Sequence, residues 1–192
     1  MFETGFLLAG DVDPADVRRQ LSRWVSRGQI VQLRRGLYAL APPHRKTEPH
    51  PFLVANRLVR GSYVSLHSAL AHHGLIPEHV PVVTSVTSGR PQNRENPFGF
   101  FEYHHCAPGR LGGYRVEKLG GGQEAFVATP VRALADLIHL VPGADSADYL
   151  SELRLTNLER LDPAELLRPA PDERPKIRRA FRRLGALTAE KP

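Results

Sequence analysis

The chain has 192 residues, room for one ordinary domain or two small ones, which excludes a peptide hormone and a large multidomain enzyme. Apolar residues make up 41% and charged residues 24%, close to the averages for globular domains and unlike the composition of a disordered chain. The net charge of +6 is uneven: residues 1–60 carry ten Lys/Arg against five Asp/Glu, residues 61–167 eight against twelve, and residues 168–192 eight against three. Both ends are basic and the middle is acidic, so a polyanion partner is expected to be met by the ends.

The first ten residues lack a basic leader region, and no apolar run approaches the roughly 18–20 residues of a membrane span, so a soluble, cytoplasmic protein with no membrane partner is expected. The single cysteine, Cys106, has no partner for a disulfide and cannot help seat a cysteine zinc site.

In chain order, Glu3 to Ala9 is expected to form one short helix ending at Gly10. Asp13 is a good N-cap, Pro14 suits the first helical position, and Val17, Leu21, Trp24 and Val25 then share one helical face, with the helix stopping at Gly28. Two β-prone runs, Ile30 to Leu33 and Leu37 to Leu40, flank Arg34-Arg35-Gly36 as a hairpin. Helix, tight turn, capped helix and hairpin is the order of a winged helix-turn-helix, placed at residues 1–42. With the apolar face inward, the opposite face shows Arg18, Arg19, Ser22, Arg23, Ser26 and Arg27, and no acid interrupts it after Asp16. Arginine reads guanine O6 and N7 bidentately, and Arg and Ser both grip phosphate oxygens. Arg34 and Arg35, at the hairpin tip, are expected to reach a neighbouring backbone or minor groove.

Four prolines within residues 41–51 mark a linker, taken as 43–50. The domain expected at 51–167 reads as mixed α and β. Helices are expected at Phe52 to Val59 and at Ser65 to His73, where Leu66, Ala69, Leu70 and His73 share a face. Val80 to Thr87, Phe98 to His105, Tyr114 to Leu119 and Ala125 to Ala128 read as strands. Thr129 caps a helix opened by Pro130, with Arg132 and Asp136 paired at i, i+4 on its polar side, and Asp145 is expected to cap another running to about Leu155. A Pro-rich break near 168–175 opens a basic tail, 168–192, in which Ile177, Phe181 and Leu184 face one way and Arg178, Arg179, Arg182 and Arg183 the other. This helix can dock on the acidic middle, bind DNA phosphates or contact a protein partner. The favoured arrangement packs its apolar face and presents its arginines to DNA. The fold class expected is thus α+β: an N-terminal winged helix-turn-helix, a mixed α+β domain and a basic C-terminal helix.

Three stretches, Ser62 to Glu78 (SYVSLHSALAHHGLIPE), Val127 to Leu137 (VATPVRALADL) and Leu33 to Tyr38 (LRRGLY), resemble the AbiEi family of antitoxins, the regulator halves of bacterial type IV toxin–antitoxin pairs. The resemblance covers about residues 1–165. It implies a DNA-binding antitoxin that represses its own operon at repeated operator sites on double-stranded DNA and opposes a nucleotidyltransferase toxin of the AbiEii type. A dimer on DNA is one arrangement expected of the chain. The resemblance places the DNA role on Arg18, Arg19, Ser22, Arg23 and Arg27 of the helix and on Arg34 and Arg35 of the wing. Only about twelve residues precede the second helix, so the first helix common in such modules is shortened or missing. The linker or the central domain is then expected to cover the module's apolar side.

Two other classes compete. A metal-dependent nuclease would need carboxylates to gather around an ion, and the candidates are Glu102, Glu117 and Asp136. Glu117 and Lys118 are adjacent on a strand and point to opposite faces, while Asp136 has Arg132 as a structural explanation. Neither His72-His73 nor His104-His105-Cys106 can chelate one ion simply, so no metal, cofactor or catalytic residue is expected, and Cys106 reads as a buried thiol. A nucleotidyltransferase would follow Gly61-Ser62 with closely spaced acids, and none appears before Glu78. The third class is a protein-binding module that sequesters a toxin.

Overall fold

The computed structural model describes residues 1–78, 80–158 and 175–189 of a mixed α+β protein. Two sheets organise it: a three-stranded sheet ordered β1-β3-β2 and a six-stranded sheet ordered β6-β7-β5-β4-β9-β8.

The small sheet pairs β1 (Phe2–Glu3) and β2 (Ile30–Arg34) with β3 (Leu37–Leu40), both antiparallel. The expected helix over Glu3 to Ala9 is therefore shorter than the sequence suggests. Phe2 and Glu3 are extended against Tyr38 and Leu37, and α1 is the single turn Thr4–Leu7. Helix α2 (Pro14–Ser26) starts where the cap predicts: Asp13 accepts from the Ala15 amide at 2.8 Å, and Gly28, at φ +67°, takes the left-handed turn after the helix. Gly36, at φ +81°, supplies the hairpin turn.

Alternation along the hairpin sorts its side chains. Ile30 and Tyr38, with Phe2, face α2 and pack on Leu21, Val17, Trp24 and Val25. A bulge around Leu33 keeps Leu33 and Leu37 together on the other side with Val31 and Ala39, where they join the main core of the protein. The sheet is buried on both faces, and the main core covers the side opposite α2.

Residues 43–50 are held at several points. His50 donates its amide to Gln123 Oε1 at 2.8 Å, and Gln123 Nε2 donates to the Glu48 carbonyl at 2.9 Å. His50 Nδ1 then caps α3 (Pro51–Leu58) by accepting from the Phe52 amide at 3.1 Å. The four expected strands are β5 (Val82–Thr87), β7 (Gly99–His105), β8 (Tyr114–Lys118) and β9 (Glu124–Ala128). Two more lie between and beside them: β4 (Tyr63–Val64), antiparallel to β5 and parallel to β9, and β6 (Gln92–Asn96), antiparallel to β7. Helix α4 (Leu66–His72) is stitched to β5 through Thr84, whose hydroxyl donates to the Ser65 carbonyl at 2.7 Å and whose amide donates to Ser68 Oγ at 2.9 Å.

Helix α5 (Pro130–Leu140) opens with Thr129 accepting from the Arg132 amide. The Arg132–Asp136 pair forms as expected, at 2.7 Å, yet not on a solvated face: Asp136 is 2% exposed. Its other oxygen accepts from Tyr63 at 3.0 Å and Ser65 at 2.7 Å, so α5 turns this residue onto β4. Burial pushes the Asp136 carboxyl up, and Arg132, Ser65 and Tyr63 each pull it back. Burial and the neighbouring Asp136 together raise the Tyr63 phenol far above its ordinary value.

Helix α6 (Ala147–Glu152) is capped by Ser146, which accepts from the Tyr149 amide at 3.1 Å, rather than by Asp145. Asp145 instead accepts from Arg179 at 2.9 Å. That residue belongs to α7 (Pro175–Ala189), which rests on α5 and α6 with Ala180 and Leu184 buried. Of the expected Pro-rich break at 168–175, Pro175 opens α7, and residues 168–174 and the domain end at 167 lie outside the described residues. No helix among the described residues is long and apolar enough to cross a membrane.

Candidate nucleic-acid interface

Helix α2 has two unlike sides. Leu21, 2% exposed, locks one against Ile30 and Tyr38, with Phe2 stacked on the Tyr38 ring at 5.7 Å. At about 100° per residue, the remaining side carries Arg18, Ser22, Ser26, Arg19 and Arg23 over an arc of roughly 140°, with Arg27 at the C-cap. All six residues are exposed. Arg19 pairs with Asp16 one turn earlier, and Ser26 Oγ donates to the Arg23 carbonyl at 2.9 Å. Both the pair and the bond are local and water-exposed, so Arg19 can exchange Asp16 for another anion at small cost.

The two hairpin arginines part company. Arg35 is exposed at the turn. Arg34 is directed inward: its Nε and Nη2 both donate to the Arg57 carbonyl at 3.3 Å, Nη1 donates to the Arg35 carbonyl at 3.1 Å, and Glu3 lies 3.8 Å away. Its guanidinium ties the hairpin to the end of α3 rather than standing at the tip. Glu3 also pairs with Arg60, so the turn end of the hairpin adjoins two exposed cations, Arg57 and Arg60, that were not singled out from the sequence. Their signal was present in the excess of Lys/Arg over residues 1–60, but only the packing of α3 on the hairpin places them beside Arg34.

The tail arginines sit on a different support, α5 and α6. Arg178, Arg179, Arg182 and Arg183 are all exposed along α7, opposite Ala180 and Leu184. Arg179 and Arg183 bind the carboxylate and the carbonyl of Asp145, respectively. The Arg179 hydrogen bond holds the Asp145 carboxyl below its ordinary value.

The residues weighed for catalysis are dispersed. Glu102 on β7 and Glu117 on β8 are separated by four strand spacings, roughly 19 Å. Glu117 pairs with Arg115 at 2.5 Å, Glu102 lies 3.4 Å from His104, and Asp136 is enclosed. The His73 ring bonds the Ala128 carbonyl at 2.8 Å and meets the His72 ring edge to face at 5.1 Å, while His105 Nδ1 bonds the Gly89 carbonyl at 2.9 Å. Among the described residues no three His, Cys, Asp or Glu side chains converge as metal ligands. Cys106 is buried, and burial pushes its thiol up, away from the reactive thiolate.

Helix α2 is thus capped, cationic on its outer face and braced from behind by a small antiparallel sheet. Residues 13–41 match the family described as transcriptional regulator, AbiEi antitoxin. The match begins at the α2 cap and ends just after β3, so it covers the helix and hairpin that carry these arginines. No protein of curated function matches the chain.

Proposed function

We propose that the protein is a bacterial, cytoplasmic DNA-binding antitoxin that represses its own type IV toxin–antitoxin operon, and that residues 1–42 act as a winged helix-turn-helix. The observation carrying this reading is the outer face of α2: Arg18, Arg19, Ser22, Arg23 and Arg27 exposed together on a helix whose inner face is fixed to a hairpin. The order β1, α1, α2, β2, β3, with β1 beside β3, supports a winged helix-turn-helix over these residues. Helix α2 enters the major groove, Arg35 reaches the adjoining backbone, and Arg34 holds the wing in position for it. Arg57 and Arg60 extend the phosphate-binding surface beside the hairpin turn. The tail arginines form a separate contact with DNA, with Arg178 and Arg182 on the side away from Asp145. The opposed toxin is a nucleotidyltransferase of the AbiEii type, and no catalytic step is assigned to this chain.

Binding of this kind joins a salt-sensitive phosphate component to a few base contacts. The test is equilibrium binding of the full chain to its own promoter and to scrambled duplexes of equal length at physiological salt. Clear preference for the promoter, with log affinity falling by about 0.9 per neutralised phosphate per log unit of salt, supports the reading. Equal binding to both duplexes refutes it.

A further inference from the structure

Strand β8 ends the six-stranded sheet, and no strand among the described residues pairs with its other side. The direction of its unused hydrogen-bonding groups follows from its two ends. Thr129 donates to the Gly113 carbonyl at 2.8 Å, and Leu119 donates to the Gln123 carbonyl at 2.9 Å. Given the register Arg115↔Val127 and Glu117↔Ala125, the peptide groups of Arg115 and Glu117 also turn toward β9. Those of Tyr114, Val116 and Lys118 therefore point out from the sheet edge.

The same strand leaves Tyr114, Val116 and Phe126 exposed at 43%, 51% and 46% on one face. Tyr114 is held there by stacking on buried Tyr63 at 4.6 Å and by an edge contact with Phe126 at 5.8 Å. On the other face Arg115 and Glu117 stand side by side. Exposed edges normally carry a feature that discourages pairing, such as proline, a bulge or charge of one sign. This edge carries one cation and one anion on the same face, two residues apart, with valine between them.

We propose that β8 is a homodimerisation edge that pairs antiparallel with β8 of a second copy about a two-fold axis at Val116. In that register Val116 faces Val116 and Tyr114 faces Lys118 of the second copy, so the outward peptide groups on both strands exchange hydrogen bonds. Arg115 then stands opposite Glu117 of the second copy, and Glu117 opposite its Arg115. Shifting by one residue sets outward peptide groups against inward ones and loses the ladder. Shifting by two in either direction sets Arg115 against Arg115 or Glu117 against Glu117. The charges thus select one register, and an isologous contact of this kind closes at two copies rather than growing. The apolar strip of Tyr114, Val116 and Phe126 continues across the axis. This surface is independent of the DNA-binding reading.

The test is sedimentation velocity of the full chain over a range of concentrations without DNA. The expected result is a concentration-dependent dimer. Val116→Pro removes an outward N–H and no bond to β9, so it should leave thermal unfolding of the monomer nearly unchanged and abolish the dimer. Arg115→Glu and Glu117→Arg should each weaken dimerisation by about tenfold or more, and the double exchange should restore it, because each single change places two like-charged pairs at the axis. A chain that stays monomeric at every concentration overturns the proposal, and so does a dimer indifferent to Val116→Pro or one that the double exchange fails to rescue.

Discussion

Arg34 and the Arg57 carbonyl join the hairpin to the body of the protein: Nε and Nη2 of one guanidinium converge on a single backbone oxygen at 3.3 Å. That oxygen lies near the end of α3, where a helix leaves its last carbonyls without internal partners. The side chain placed to serve as a wing contact is thereby committed to the scaffold, while its neighbour Arg35 stays in solvent.

Arg34→Ala and Arg35→Ala should consequently differ in kind. Losing Arg34 removes charge-assisted bonds and should lower stability by about 1–2 kcal/mol, read as a fall in the urea midpoint at constant slope. Losing Arg35 should leave the midpoint within about 0.5 kcal/mol of the parent and weaken binding to every duplex alike. Equal stability losses from the two changes contradict this division of roles.

For α2, changing Arg19 and Arg23 to Ala should erase much of the preference for the promoter, by about 1–3 kcal/mol for each bidentate arginine–base pairing removed. The readout is the ratio of promoter to scrambled affinity at one salt concentration. A uniform loss on both duplexes would instead assign these residues to phosphate.

Asp136→Ala should be among the costliest single changes. It leaves the Arg132 guanidinium without its counter-ion and orphans the buried hydroxyls of Tyr63 and Ser65. Breaking one side of a buried pair typically costs about 3–5 kcal/mol, measurable by thermal or urea unfolding. A loss below about 1 kcal/mol would show that the cluster does not hold α5 to β4.

Acidification should weaken the fold through three histidines. Burial lowers His50, His67 and His73 below the ordinary value of 6.5. The unfolded chain then binds protons more readily than the folded one, so the stability these groups contribute is present above about pH 6.5 and is lost as pH falls through their lowered values. His50 has a second reason to stay neutral, because its Nδ1 must accept the Phe52 amide to cap α3. Unfolding midpoints measured from pH 7.5 to 5.5 should fall, and His50→Asn, which keeps a capping acceptor but does not titrate, should flatten the slope. An unchanged slope in that variant removes His50 as a contributor.

Local chemistry carried much of the fold. The Asp13 cap, the Gly28 stop and the alternation through Leu40 are short-range signals, and α2, β2 and β3 stand where they place them. Strands β5, β7, β8 and β9 of the large sheet were legible for the same reason. Elements defined by their partners were not. Phe2 and Glu3 read as the start of a helix because nothing near them announces Tyr38 and Leu37 as pairing partners. Tyr63–Val64 is too short to show a period, and Gln92–Asn96, all polar or charged, has no β-branched or aromatic residue to mark it. At the site, the exposed face of α2 follows from helical spacing. The inward turn of Arg34 and the nearness of Arg57 and Arg60 depend on packing between segments more than twenty residues apart.

The small sheet, covered by α2 on one face and by the main core on the other, makes residues 1–42 a poor unit to study alone. Cut free, the hairpin would turn Leu33, Leu37 and Ala39 to water and lose the Arg57 carbonyl that seats Arg34. A fragment assay on that piece would therefore measure a sticky, loosened hairpin instead of the native module. In the whole protein the same two-sided burial leaves α2 no swivel: the angle at which the proposed reading helix would meet a duplex belongs to the body of the molecule, as a blade's angle belongs to its handle.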